Sequence, residues 1–433
     1  MMILQKICVR VFKKAIYARQ LSTCPETTFN QIKILDKLYE TDNFTNVTPK
    51  ILTKLGKNLH TTQNHPLSLV RQRIVNYFYS QFKNKNGNPL FSVYDNIIPI
   101  VTTEQNFDSL LVPKNHPSRN KNDCYYINQN TMLRAHTTAH QTELILSGLN
   151  NFLIVGDVYR RDQVDQVHFP VFHQIDGVRL CTADEVYKNV EDSSGLKLFE
   201  TNGIETEEKQ VCHTLEAVKI MEHMLKTTLI GLAKHLFGEA IKYRWVNEYF
   251  PFTHPSYELE VFHNDKWIEI LGCGIMRQEI LQNVGVKDRI GWAFGLGLER
   301  LAMFLYEIPD IRLFWLNDTG FLNQFKTDNP DQNIQYKPIS KCPQCKNDVS
   351  FFLPRDGSFI ENDFYEIVRE CGADMIEQII LIDKYFHPKL KRTSHTYTIV
   401  YRSMLTTLTK SQVNKIHTRI KYVLSSKMNV KIR

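Results

Sequence analysis

Two runs rich in β-branched and aromatic residues, 152–159 and 171–180, are joined by a polar stretch and read as strand, turn, strand. A plain hairpin needs only Asn-Gly or Asp-Gly at its tip. This one fills its connection with Arg160, Arg161, Asp162, Asp165 and His168, then leaves through Phe169, Phe172, His173, Gln174 and Asp176. Three more short strands, 243–250, 257–262 and 267–271, follow one another through turns after a long helix at 213–237. Strands that lead into strands argue against a doubly wound sheet. They predict an antiparallel sheet flanked by helices, an α+β body.

Helical spacing predicts a helix over 66–82, with Leu69, Val70, Ile74, Tyr77 and Phe78 on one stripe, and a second over 132–149. Within a polar extension, 24–64, the run 32–38 reads as a short apolar helix. Gly291-Trp-Ala-Phe-Gly-Leu-Gly-Leu-Glu-Arg300 reads as a glycine turn opening a helix that runs to Tyr306. It is no dinucleotide fingerprint, because Arg300 stands where the third glycine belongs and no acid follows a βαβ unit at the right distance. A polar linker, 318–345, separates a larger domain at 65–317 from a smaller one at 346–433. The smaller domain reads strand, helix, strand, strand, helix, strand, which is the ferredoxin-like βαββαβ unit.

The net charge of +7 conceals a partition. Residues 1–25 hold Lys6, Arg10, Lys13, Lys14 and Arg19 among apolar residues, with no acid. A secretory signal needs an unbroken apolar centre, which Lys13 and Lys14 interrupt, so 1–23 is expected to be a mitochondrial presequence. From Lys384 to Arg433 there are twelve Lys/Arg and no Asp or Glu, an electrostatic footprint for phosphates. The last helix is expected to present Lys415, Arg419 and Lys421 to solvent, with His395, Tyr397 and Tyr401 stacking on splayed bases. No apolar run approaches the ~18–20 residues of a membrane span. Nine scattered cysteines argue for a reducing compartment rather than a disulfide framework. Cys342-Pro-Gln-Cys345 looks like half of a metal site, but no second Cys/His pair lies nearby and no zinc is expected there.

Cations at 160–168 beside Phe172, with Arg300 at the start of a glycine-led helix, suit a nucleotide's phosphates and its purine. Further segments point the same way: Pro89-Leu-Phe-Ser-Val-Tyr-Asp95, Asn106-Phe-Asp-Ser-Leu-Leu111, His116-Pro-Ser-Arg119, Leu133-Arg-Ala-His-Thr-Thr-Ala-His-Gln141, Phe250-Pro-Phe-Thr-His-Pro-Ser256 and Pro309-Asp-Ile-Arg-Leu-Phe-Trp315. From about His65 onward the chain resembles the class II aminoacyl-tRNA synthetases, and among them the single-chain mitochondrial phenylalanyl-tRNA synthetases.

That resemblance implies ATP-dependent activation of L-phenylalanine and its transfer to mitochondrial tRNA(Phe), by a monomer of the mitochondrial matrix that needs no β subunit. It implies Arg160 with Asp162 at the ATP α-phosphate, His168 beside the phosphates, Phe172 on the adenine and Arg300 at the γ-phosphate. Gly295 and Gly297 would let the backbone approach the nucleotide, and Glu269 would help hold Mg²⁺. Thr138, Ala139, His140 and Gln141 would meet the amino and carboxylate end of phenylalanine, and Gln174 and Asp176 would read its amino group. Phe250, Phe252, Ala293 and Phe294 would form the ring pocket, with Ala293 as its floor. Two positions depart from the commoner pattern: Thr138 replaces Ser, and Asp176 replaces Glu. No stretch is left for an editing domain, so tyrosine is expected to be rejected by the pocket floor alone, a weak filter on the order of 10². The other reading is an inactive synthetase paralogue that serves as an RNA-binding protein.

Overall fold

The structure, a computed structural model, describes residues 31–338 and 342–433; the presequence expected at 1–23 lies outside them. The described chain opens with a hairpin, β1 (Gln31–Ile34) and β2 (Lys37–Glu40), where the sequence reading expects a helix at 32–38. The turn chemistry decides it. Leu35 and Asp36 both hold positive φ, 47° and 64°, as a two-residue hairpin turn requires. Ile32 and Ile34 are buried while Lys33 between them is exposed, which is the period of a strand.

Helix α1 (Pro66–Gln81) starts as its sequence predicts, with proline in the first turn and His65 accepting the N–H of Leu67. The second predicted helix, 132–149, breaks up. A strand (Thr131–Leu133) leads into an extended segment, a 3₁₀ turn (Thr137–His140) and a short helix (Gln141–Leu146).

The main sheet has seven strands. Strand β3 (Ser92–Tyr94) lies parallel to β4 (Asn151–Tyr159), which pairs antiparallel with β5 (Val171–Cys181). After helix α2 (Leu215–Phe237) come β6 (Tyr243–Phe250), β7 (Thr253–His263), β8 (Lys266–Met276) and β9 (Ile290–Gly297), then helix α3 (Leu298–Tyr306). The order across the sheet is β3-β4-β5-β9-β8-β7-β6, antiparallel throughout except at β3. The glycine-rich stretch Gly291–Gly297 is therefore the sheet's central strand and not a turn; the turn expected there is limited to the β9–α3 junction. Strand β4 is buried at every position from Phe152 to Tyr159, because side chains cover both of its faces. Helix α2 lays Ala217, Met221, Leu225, Leu229, Leu232 and Leu236 on one buried stripe. Phe78 of α1 stacks on Phe294 of β9, with ring centroids 5.3 Å apart, and so ties the helical layer to the centre of the sheet.

The segment 318–345, polar as its sequence looks, sends Phe321, Phe325, Ile334 and Tyr336 into the main core. Beyond it lie β10 (Cys345–Phe352), α4 (Glu361–Gly372), β11 (Ile376–His387), β12 (Arg392–Tyr401), α5 (Lys410–Lys427) and β13 (Lys431–Ile432). This is the predicted βαββαβ order, folded into a sheet of order β11-β12-β10-β13 around its own core of Val349, Phe351, Phe364, Tyr397, Ile399 and Leu424.

Candidate active site

The β5–β9 register sets Gln174 opposite Gly297 and Asp176 opposite Gly295. Gln174, Asp176, Gly295 and the loop before β4 line a cavity of about 420 Å³. Of the residues predicted for the amino-acid side, Thr138, Gln141, Gln174, Asp176, Phe250, Phe252, Ala293 and Phe294 line it, together with Arg160, Glu269 and Gly295. The rings of Phe250 and Phe252 stack, 5.9 Å apart and 9° from parallel, to make one apolar wall. An added Cβ at Gly295 would sit 2.7 Å from the Asp176 carboxylate, so this glycine makes room for that acid. Gly297 has open space where its side chain would be and leaves the backbone accessible.

Asp176 is 5% exposed and accepts the Thr138 hydroxyl at 2.5 Å. Burial pushes its carboxyl up to about 6, against the pull of Thr138, Thr137, Arg160 and Arg134. Thr138 is thus the hydroxyl that orients the acid.

Ala139 and His140 are not brought to the cavity. Ala139 packs in a small apolar cluster with Val101, Phe107 and Met132. His140 faces the buried guanidinium of Arg134, with 3.0 Å between Nη1 and Nε2, and its Nδ1 meets Glu143 at 2.9 Å. Arg134 is pinned in turn by Asp157, through the backbone oxygen and the carboxylate, both at 2.7 Å. The physical reason is the 3₁₀ turn at Thr137–His140: with about three residues per turn it aligns Thr138 with Gln141 on the cavity side and turns Ala139 and His140 elsewhere.

His136, which the sequence reading passed over, lines the cavity 6.4 Å from the Phe252 ring. Burial lowers its pKa to about 3, so the ring stays neutral. Its only signal in the sequence is membership of the 133–141 string.

On the nucleotide side, Arg160 is anchored by its Nε on the Ala135 carbonyl at 2.8 Å, and its guanidinium lies 5.2 Å from the centre of the half-buried Phe172 ring. Arg300 donates to the Glu269 carboxylate at 2.9 Å and to its backbone oxygen at 3.0 Å. The His168 ring meets Asp165 at 2.7 Å, and that hydrogen bond raises its pKa, favouring the cation. Asp162 does not line the cavity; its carboxylate takes the N–H of Gln163 at 2.7 Å and acts electrostatically on Arg160 and His168, and its carbonyl accepts Arg369 of the second domain.

Residues 49–192 and 205–325 match the family described as tRNA synthetases class II core domain (F), and 340–433 match the ferredoxin-fold anticodon binding domain. A probable mitochondrial phenylalanine–tRNA ligase of Drosophila melanogaster is 56% identical, over 93% of this chain and 92% of its own length. The mitochondrial phenylalanine–tRNA ligase of Mus musculus is 53% identical over 89% of this chain and 85% of its own. That of Saccharomyces cerevisiae is 36% identical over 94% and 95%. The chain belongs to the mitochondrial phenylalanine–tRNA ligases.

In this synthetase the second domain sits against the loop that carries the nucleotide residues. Val164, at the tip of the β4–β5 connection, enters the core of the second domain, and its carbonyl accepts the N–H of Ile379 on edge strand β11 at 3.0 Å. Arg161 pairs with Asp363 at 2.7 Å, Arg369 donates to the Gln163 carbonyl at 2.9 Å, and Gln166 donates to Glu377 at 2.8 Å. The expectation that Tyr397, Tyr401 and His395 stack on bases is corrected: all three are buried, on the side of the sheet that holds the helices. Lys415 and Arg419 are exposed on α5 as expected, and Lys421 is half-buried.

Proposed function

We propose that the cavity binds L-phenylalanine with its ammonium on Asp176 and Gln174 and its ring between Phe250, Phe252 and the floor at Ala293. The observation that carries this reading is the pairing of a buried, hydroxyl-oriented carboxylate with a stacked phenylalanine wall inside one small cavity. His136 joins Thr138 and Gln141 in place of Ala139 and His140. ATP lies on the Arg160 side, with Arg160 at the α-phosphate, Phe172 under the adenine, and His168 and Arg300 toward the outer phosphates.

The enzyme activates phenylalanine with ATP and transfers it to tRNA(Phe). The first step needs no side-chain base, because the substrate carboxylate is already ionised. It attacks the α-phosphorus in line and pyrophosphate leaves. Arg160 counters the charge gathering on the phosphoryl oxygens with a fixed planar fork. Positioning supplies the rest. The terminal adenosine of the tRNA then takes the acyl group from the adenylate and AMP departs.

Glu269 and Glu258 offer hard oxygen donors at the edge of the cavity. The Glu258 pKa is raised by burial and then by its neighbours Glu269, Glu248 and Glu260. Like charges crowded in this way fit a divalent cation. Among the described residues no group of three ligands is preformed, which suits Mg²⁺ held by one or two carboxylates and completed by substrate phosphates. Bound there, Mg²⁺ would neutralise phosphate charge.

We place the enzyme in the mitochondrial matrix, on the strength of the acid-free segment at 1–23, and read it as a monomer with a core domain at 65–317 and an anticodon domain at 346–433. Pyrophosphate exchange with a panel of amino acids tests the substrate reading. Exchange driven by phenylalanine is the expected result, and its absence in folded protein would leave the RNA-binding paralogue. Gel filtration tests the monomer.

A further inference from the structure

The two ends of the proposed nucleotide site stand on different elements. Phe172 belongs to strand β5, and Arg300 to the first turn of helix α3. Their own side chains do not join them. Their chain neighbours do, because His173 follows Phe172 and Glu299 precedes Arg300.

Successive residues on a strand point to opposite faces, so Phe172 looks into the site and His173 into the core. His173 is 0% and Glu299 2% exposed. One oxygen of Glu299 accepts the backbone N–H of His173 at 2.7 Å, and the other meets the ring Nδ1 at 2.7 Å. The β5–β9 ladder ends at Gln174 opposite Gly297, so this N–H lies one residue past the last rung, and the carboxylate extends the join into the helix.

We infer that Glu299 and His173 form a positioning pair that sets the spacing between the adenine and γ-phosphate halves of the ATP site. The inference rests on the reading of Phe172 and Arg300 as nucleotide contacts. A carboxylate accepts and does not donate, so Nδ1 carries a ring hydrogen. Among the described residues no hydrogen-bond partner reaches Nε2. The ring lies 5.2 Å from that of His60, whose Nε2 is engaged by the Asp95 carbonyl at 2.9 Å. Trp315 stacks on His173 at 5.9 Å and 28°. The Nδ1 hydrogen bond and the neighbouring rings hold the imidazole in one plane.

The test compares His173→Phe with His173→Asn. Phenylalanine keeps the volume and loses the donor, whereas asparagine keeps an N–H near the place of Nδ1 and loses volume. If the pair positions the nucleotide site, His173→Phe raises KM for ATP in pyrophosphate exchange on the order of 10–10²-fold. Phenylalanine affinity, read by equilibrium dialysis, stays put, and His173→Asn recovers most of the loss. A side chain that only fills the core gives the opposite order, Phe better than Asn, and that result overturns the proposal. So does an unchanged KM for ATP in His173→Phe, or a parallel fall in phenylalanine affinity. Arg300→Ala serves as the control: if its exchange is normal, the nucleotide reading has failed rather than the pair. Should His173→Phe not fold, ¹⁵N resonances of labelled histidine in the wild-type enzyme decide. A hydrogen on Nδ1 of His173 is expected, and a bare Nδ1 overturns the pair. In Glu299→Gln the amide donates to Nδ1, so Nδ1 is expected to lose its hydrogen.

Discussion

Asp176 carries the sharpest prediction at the scale of single residues. Burial raises its carboxyl to about 6, and it must be ionised to hold an ammonium. Above that pH the carboxylate is present and phenylalanine binds. Below it the empty site is protonated, and apparent affinity is expected to fall about tenfold per pH unit. KM for phenylalanine measured from pH 5 to 8 should therefore rise toward acid, whereas Asp176→Asn should be weak throughout and flat. A flat wild-type profile would mean the acid does not meet the amino group. His136, with its pKa near 3, stays neutral over that whole range and adds no titration of its own. Arg160→Ala and Arg300→Ala are expected to abolish exchange or nearly so while the protein stays folded by circular dichroism. Normal exchange in either would sink the phosphate assignments.

Element packing decides what the loop before β4 can present. An added Cβ at Gly156 would lie 2.0 Å from the Arg134 guanidinium. Elsewhere a flexible arginine would swing aside, but this one is held by Asp157, the Ile97 carbonyl and His140. Gly156→Ala must break that buried network, a loss on the order of 3 kcal/mol. The expected outcome is a lower thermal midpoint, with phenylalanine binding lost alongside it, because Arg134 underlies the turn that carries Thr138. An unchanged midpoint would show that Arg134 relocates freely. The same network explains why the helix read at 132–149 fails: its period is broken by a charged side chain that satisfies itself inward. At 32–38 the apolar residues fit either period over so short a run. Only the left-handed pair Leu35 and Asp36 separates hairpin from helix.

At the scale of the whole molecule, the loop that carries Arg160 and His168 is shaped from outside its own domain. Val164 lies in the second domain's core, and Arg369 holds the Asp162 and Gln163 carbonyls. Val164→Asp puts an unpaired charge where apolar contact was, and Arg369→Ala frees two carbonyls. Each is expected to raise KM for ATP in exchange while KM for phenylalanine stays within about twofold. If ATP binding is unaffected, the loop keeps its shape without the second domain. Discrimination against tyrosine belongs to this scale too, and it is expected to rest on the pocket floor alone. Deacylation of Tyr-tRNA by the purified enzyme would contradict it.

Local pattern made much of the architecture legible. The β-branched and aromatic runs of β4 and β5, the apolar stripe of α1 and the βαββαβ order all follow from side-chain types and spacing, which act over a few positions. Residue strings that resemble the synthetases located Arg160, Arg300, Asp176, Gln174, Phe250 and Phe252 at one site. What spacing cannot carry is which way a side chain points once distant segments meet. Hence His136 faces the cavity and His140 a buried arginine, and Tyr397 and Tyr401 fill a core rather than meet bases. Gly295 makes room for the Asp176 carboxylate, and the Asp162 carbonyl meets Arg369 of the second domain. Those choices depend on which buried polar groups find partners, and the partners lie far along the chain, as Glu299 does from His173; only the tertiary structure decides them.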